Sequence, residues 1–137
     1  MDPVVHFELP AQDRERMAAF YSGVFGWEAQ MFGPEMGNYT VLTTTETRDG
    51  RPTRPGEING GLFLRTDDPG SQAPSVVIAV ADIQSSLRAI EQAGGKVTDP
   101  QEIPSVGLYA SFHDIEGNRM GVLQPLPRSG GDQRRGG

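Results

Sequence analysis

No cysteine occurs in this 137-residue chain. That absence excludes a disulfide framework, a thiolate nucleophile, cysteine-ligated zinc and an iron–sulfur cluster in one step. Positive charge is scarce as well: 12 Lys and Arg stand against 18 Asp and Glu, a formal net charge of -6. The segment from Pro127 onward carries Arg128, Arg134 and Arg135 against Asp132, so the rest of the chain stands near -8. Such a surface repels phosphate backbones, and no basic stripe interleaved with aromatics offsets it, so nucleic acid is not an expected partner. A cationic small molecule is electrostatically welcome. No apolar run approaches the roughly 18 residues needed to span a bilayer, so no membrane partner is expected. Met1 to His6 enters a strand pattern without the basic and apolar stretches of a secretory signal, and cytoplasmic residence is the expectation.

What is abundant is punctuation. The 18 glycines and 11 prolines make about a fifth of the chain, against roughly an eighth in average composition. Frequent turns and few or short helices follow, which excludes a helical bundle or coiled coil. With 36% hydrophobic and 22% charged residues, the composition is that of a folded single domain.

The order of elements reads as a repeat. Val4 to Leu9 predicts a strand ending at Pro10, with His6 and Glu8 on its polar face. From Asp13 the period changes: Met17, Phe20, Tyr21, Val24 and Phe25 make the stripe of a helix of about 12 residues that stops at Gly26. Trp27 to Phe32, Asn38 to Thr44 and Gly61 to Arg65 read as strands, and a long loop from Thr45 to Glu57 precedes the last. Ser75 to Val80 then begins the same order again. Asp82 caps a helix with Ile83, Leu87, Ile90 and Ala93 on one stripe, Gly94-Gly95 ends it, and Val97 to Gln101, Leu108 to His113 and Asn118 to Gln124 follow as strands. A shift of 69 residues superimposes Asp13 on Asp82, Gly26 on Gly95 and His6 on Ser75. The expectation is an α+β domain over 4–125, made of two strand-helix-strand-strand-strand units at 4–65 and 74–125, with a flexible tail over 126–137.

Five stretches carry a family resemblance: His6-Phe7-Glu8-Leu9-Pro10, Ala19-Phe20-Tyr21, Val24-Phe25-Gly26-Trp27, Ala93-Gly94-Gly95-Lys96-Val97 and Phe112-His113-Asp114-Ile115-Glu116-Gly117-Asn118. In that order they resemble the vicinal oxygen chelate superfamily, which includes glyoxalase I, bleomycin-resistance proteins and extradiol dioxygenases. Ile115 stands where proline is usual. The resemblance spans Val4 to Pro125 and implies two βαβββ modules curled around a cup, commonly paired into homodimers. It also implies, in metal-dependent members, four ligands in the cup, one from the first and one from the last strand of each module. His6 matches the first of these. Its partner falls on Ser75, or on Val76 if the alignment slips by one; the last strand of module one offers no His, Asp or Glu, and Gly121 stands where the family's glutamate is expected. One ligand of four is too few for zinc, iron, nickel or manganese, so no metal or other cofactor is expected.

Strand alternation aims His6 and Glu8 into the cup. If Asp114 to Asn118 turns as a three-residue hairpin with Gly117 left-handed, His113 opposes Arg119, and Tyr109, Ser111 and His113 share the cup face with Arg119, Gly121 and Leu123; a two-residue turn reverses this. Each residue also has a structural reading. His6 reads equally as a hydrogen-bonded histidine inside the sheet, and His113 beside a turn as a solvated one. Phe20, Tyr21 and Trp27 read as packing between helix and sheet, Tyr39 and Tyr109 as strand tyrosines that can also stack on a ligand, and Arg48, Arg51 and Arg54 as a solvated hairpin tip or a lid. No phosphate loop, dinucleotide fingerprint or serine elbow is present. The favoured reading is a homodimer holding a small organic molecule, cationic or aromatic, in its cups without a metal. Its candidate lining is His6, Glu8, Ser75, Tyr109, Ser111, His113 and Arg119. Two alternatives stay open: a lyase or dioxygenase of the glyoxalase kind with an altered metal site around His6, and a non-catalytic structural or partner-binding module.

Overall fold

The computed structural model describes residues 1–127. Strand β1 (Val4–Ala11) leads into helix α1 (Arg14–Phe25), then β2 (Glu28–Met31), β3 (Thr40–Thr43), a small hairpin of β4 (Thr47–Arg48) and β5 (Arg51–Pro52), and β6 (Asn59–Leu64). The second half follows with β7 (Ser75–Ala79), α2 (Ile83–Gln92), β8 (Lys96–Val97), β9 (Gln101–Ile103), β10 (Gly107–His113) and β11 (Arg119–Pro125). One mixed sheet runs in the order β2-β3-β6-β1-β7-β11-β10-β8, with β9 also on β10. It is an α+β architecture with both helices on one face.

The central pair carries the symmetry. β1 and β7 are antiparallel, with Glu8 opposite Ser75 and His6 opposite Val77. A 69-residue shift sends His6 to Ser75 and Glu8 to Val77, so each of these pairs maps onto the other. On the flanks, β6 runs parallel to β1 with Gly61 level with Glu8, and β11 runs parallel to β7 with Gly121 level with Val77. Gly61 and Gly121 are therefore equivalent positions in the two units.

Capping defines both helices. The Asp13 carboxylate accepts the Arg16 N–H at 3.1 Å, and Gly26, at φ +77°, closes α1 with its N–H on the Ser22 carbonyl at 3.0 Å. Asp82 does the same for α2 through Gln84 at 3.2 Å. α2 seats Ile83 and Leu87 among Val80, Ala110, Phe112 and Val122, and this is the larger core. α1 covers Ala11, Leu42 and Leu62, with Phe7, Leu9, Met17 and Trp27 packed around them.

Several expectations are corrected. β1 does not stop at Pro10 but runs to Ala11. The Ala11 carbonyl accepts from Arg65 on the β6 side, so Pro10's own polar edge faces the other way, where β7 has already ended opposite Glu8; its missing N–H costs no ladder bond. The strand expected over Val97 to Gln101 is split into β8 and β9 around Asp99-Pro100, and the Thr98 hydroxyl bridges the gap by bonding Ser111. The α1 stripe packs only in part: Phe20, Val24 and Phe25 are 55%, 59% and 61% exposed. Phe7 and Trp27 fill the space beneath the helix, Tyr21 stacks on Trp27 with centroids 4.8 Å apart, and the outer side chains have nothing left to cover them. The tail expected over 126–137 lies outside the described residues except for its first two, of which Leu126 donates its N–H to the Val106 carbonyl at 3.0 Å. No helix among the described residues is long and apolar enough to cross a membrane.

Candidate functional site

Residues paired across a ladder point to the same face, so the register maps the concave side. One row across the sheet reads Asn59, His6, Val77, Gly121 and Ser111; the next reads Val41, Gly61, Glu8 and Ser75. Val76 pairs with Phe7 and so belongs to the helix face, which leaves Ser75 as the residue of that pair in the cup. The closing hairpin has Gly117 at φ +87° and Asp114 bonded to Asn118 at 3.0 Å, so Tyr109, Ser111 and His113 lie opposite Leu123, Gly121 and Arg119 on the concave face.

Glu8 is the focus. Tyr39, just ahead of β3, donates its hydroxyl to Glu8 Oε2 at 3.0 Å, and Tyr109 on β10 donates to Oε1 at 3.4 Å. The Tyr39 hydroxyl also lies 3.4 Å from His6 Nε2. One carboxylate thus collects a phenol from each half of the molecule. Burial pushes the Glu8 carboxyl above the usual carboxylate range, against the opposing pull of the two phenols and of Arg119. Burial lowers His6, favouring its neutral imidazole. Tyr39 and Tyr109 are pushed far up, first by burial and then by the charge of Glu8, and both stay phenols.

Two glycines make this arrangement possible. A Cβ at Gly61 would run into the Tyr39 hydroxyl and lie 2.5 Å from its Cε2; a Cβ at Gly121 would lie 2.7 Å from the Tyr109 hydroxyl oxygen. Each phenol therefore fills the space that a side chain on the last strand of its own unit would take. Tyr39 is held from behind by Arg14, at the start of α1, whose guanidinium donates to the carbonyls of Phe32 and of Asn38, the latter at 2.8 Å.

The remaining candidates divide. Ser111 is buried and spends its hydroxyl and N–H on Thr98, so it serves the sheet edge. Arg119 lies over the Phe63 ring, 5.7 Å from its centroid, near enough to Glu8 to act through charge. His113 sits by Arg119 against Gly70 and stays outside the Glu8 network. Tyr39, read from the sequence as a strand tyrosine that can stack on a ligand, and Gly61 belong to the centre although neither stood in the candidate lining; the packing of tyrosine over glycine in both halves brings them in. Of the loop arginines, Arg54 pairs with Glu57 at 3.4 Å and Glu46 at 3.9 Å beside an open depression near Trp27 and Glu28 at the margin of the first half. The candidate site is Glu8 rather than that depression, because the hydroxyls of Tyr39 and Tyr109 and the perturbed titratable groups converge there.

Among the described residues no group of three or more His, Cys, Asp or Glu side chains is placed to hold a metal ion. Of the four ligand positions that the resemblance implies, the first strands carry His6 and Ser75 and the last strand of the second unit carries Gly121, whose equivalent in the first unit is Gly61. That set supplies one nitrogen donor, and both glycine positions are closed to larger side chains by the phenols.

This architecture, a curled sheet of two βαβββ halves with its polar site on the concave side, defines a class, and comparison with known proteins agrees. A model for bleomycin resistance protein-like N-terminal domains matches residues 4–45. A glyoxylase-like domain-containing protein from Didymella fabae is 33% identical over 119 residues, covering 84% of this chain and 88% of that one. The anthracycline biosynthesis protein DnrV from Streptomyces peucetius is 29% identical over 130 residues, covering 85% of this chain; the chain spans 44% of DnrV's length. In three dimensions, a methylmalonyl-CoA epimerase from Streptomyces coelicolor superposes with a TM-score of 0.66 at 17% identity, covering 90% of this chain and 97% of the other. The chain belongs to the vicinal oxygen chelate superfamily, among its glyoxalase-like and bleomycin-resistance-like proteins.

Proposed function

We propose that this protein binds a small organic molecule in its cup and does so without the divalent metal of its metal-dependent relatives. The observation that carries the reading is the pair of tyrosine hydroxyls over Gly61 and Gly121, both directed at Glu8. Where a metal site needs two ligating side chains from the last strands, this cup has two phenols tied to one carboxylate. A convergent set of a few polar groups on a concave, partly apolar face suits a small-molecule site. The relative named for anthracycline biosynthesis supports a guest with an aromatic body, for which the phenol rings offer stacking surface.

The test is an NMR screen of the isotopically labelled chain against aromatic fragments bearing amine, carboxylate or hydroxyl groups. Binders are expected to shift the signals of Glu8, Tyr39 and Tyr109, and to do so equally with and without EDTA. Shifts confined to the helix face, or binding that disappears with EDTA, would refute the proposal.

A further inference from the structure

We infer that the guest of this cup is an organic cation with N–H donors, its charged group seated against Glu8. This rests on the small-molecule reading above and names the chemistry of that molecule. Each phenol carries one hydrogen, and both are spent on Glu8 at 3.0 and 3.4 Å. Asn59, the amide in the row beside them, is turned to Thr44 and Thr47: one hydrogen of its NH2 goes to the Thr47 hydroxyl at 2.9 Å and its oxygen accepts the Thr44 N–H at 2.8 Å. The Ser111 hydroxyl is turned to Thr98. The other donors on this face are the Ser75 hydroxyl, the His6 imidazole and the Arg119 guanidinium, the last laid over Phe63; beside Glu8 itself what remains is lone pairs, on the unused sites of the carboxylate and on the two phenol oxygens. A guest that fits them brings donors.

Charge points the same way. Glu8 is faced by His6 on its own strand, Tyr39 from just ahead of β3, Tyr109 from β10 and Arg119 from β11, while β6 and β7 present Gly61 and Ser75. Arg119 is the one cation among these, and it lies over Phe63 instead of in an ion pair with Glu8; among the described residues the ion pairs are those of Arg54. A half-buried carboxylate with hydrogen-bond partners but no ion-pair partner favours a cation with donors over any other guest. The net charge of -6 adds a long-range bias of the same sign.

The experiment compares three probes of one shape on the full chain by NMR titration: 2-phenylethylammonium, 2-phenylethanol and 3-phenylpropanoate. The ammonium is expected to bind at least about tenfold more tightly than the alcohol, with the carboxylate weakest. Glu8→Gln should bring the three within about twofold of one another, whereas Arg119→Gln should preserve or widen the ammonium's advantage. A carboxylate that binds as well as the ammonium in the unaltered chain overturns the inference and leaves the small-molecule reading standing. So does an ammonium preference undiminished in Glu8→Gln, which would assign it to surface charge. If none of the three shifts Glu8, Tyr39 or Tyr109, the inference falls together with the reading it rests on. The ranking in the unaltered chain decides the matter even if Glu8→Gln does not fold.

Discussion

Gly61→Ala is the smallest change that reaches the centre of the site. The added methyl would overlap the Tyr39 hydroxyl and lie 2.5 Å from Cε2, where ordinary contact needs about 3.5–4 Å. The Gly61 backbone lies outside the left-handed region, so alanine meets no conformational penalty, and the whole effect falls on the tyrosine. The ring must retreat by about 1–1.5 Å, which takes its hydroxyl out of reach of Glu8. Losing a hydrogen bond to a carboxylate costs about 1.5–3 kcal/mol. Forcing a methyl into a packed surface adds about 1–3 kcal/mol. The expected loss is about 3–5 kcal/mol, a large share of the stability of a domain this size. Because the cost is a collision with one side chain, it should nearly vanish in a Tyr39→Ala background, giving a coupling of about 3–5 kcal/mol in a double-mutant cycle read by urea unfolding. Gly23→Ala is the control: nothing lies within 4 Å of its Cβ, and alanine in a helix should stabilise by about 0.5–1 kcal/mol. A Gly61→Ala loss below about 1 kcal/mol, or additive effects with Tyr39→Ala, would refute the packing of tyrosine over glycine.

Three further outcomes follow from the same geometry. Glu8 holds its proton more tightly in the folded chain than in the unfolded one, so the folded state loses stability as pH rises from the usual carboxylate range through the raised value. Glu8→Gln should escape that loss, and its melting temperature relative to the unaltered protein should climb between pH 4 and 8; a flat difference would refute the buried carboxylate. Arg14→Ala should free the turn carrying Tyr39, cost about 1.5–3 kcal/mol and move the Tyr39 ring signal while leaving that of Tyr109 in place; equal shifts of both rings would show mere global loosening. Asp82→Ala should cost about 1 kcal/mol through the lost α2 cap without touching either tyrosine, as denaturation and NMR together would report.

The architecture was legible because its signals are local. Asp13 and Asp82 cap, Gly26 ends α1, and the hairpin from Asp114 to Asn118 sets the register of β10 on β11 with its own turn chemistry. Such features act within a few residues and repeat at matching intervals. Where the reading failed, the deciding atoms were distant in sequence. Pro10 extends β1 because β7, some 65 residues later, has already ended beside it. Phe20 and Phe25 have the spacing of a buried stripe, yet Phe7 and Trp27 occupy the space they would enter. The site shows the same division. His6, Glu8 and Tyr109 follow from strand alternation, whereas Tyr39, legible only as a strand tyrosine able to stack on a ligand, stands just ahead of β3 and reaches Glu8 over Gly61 from a position set by Arg14. Gly121 drew notice as a missing carboxylate; its role as the floor under Tyr109 required the neighbouring strand.

Calorimetric titration of metal-stripped protein with Zn2+, Ni2+ and Mn2+, joined to metal analysis of the protein as purified, tests the central claim most directly. With phenols over Gly61 and Gly121 and His6 as the single matching ligand, no saturable binding tighter than about 10 μM and no stoichiometric metal is predicted. One equivalent of tightly held metal, lost on His6→Ala, would contradict it.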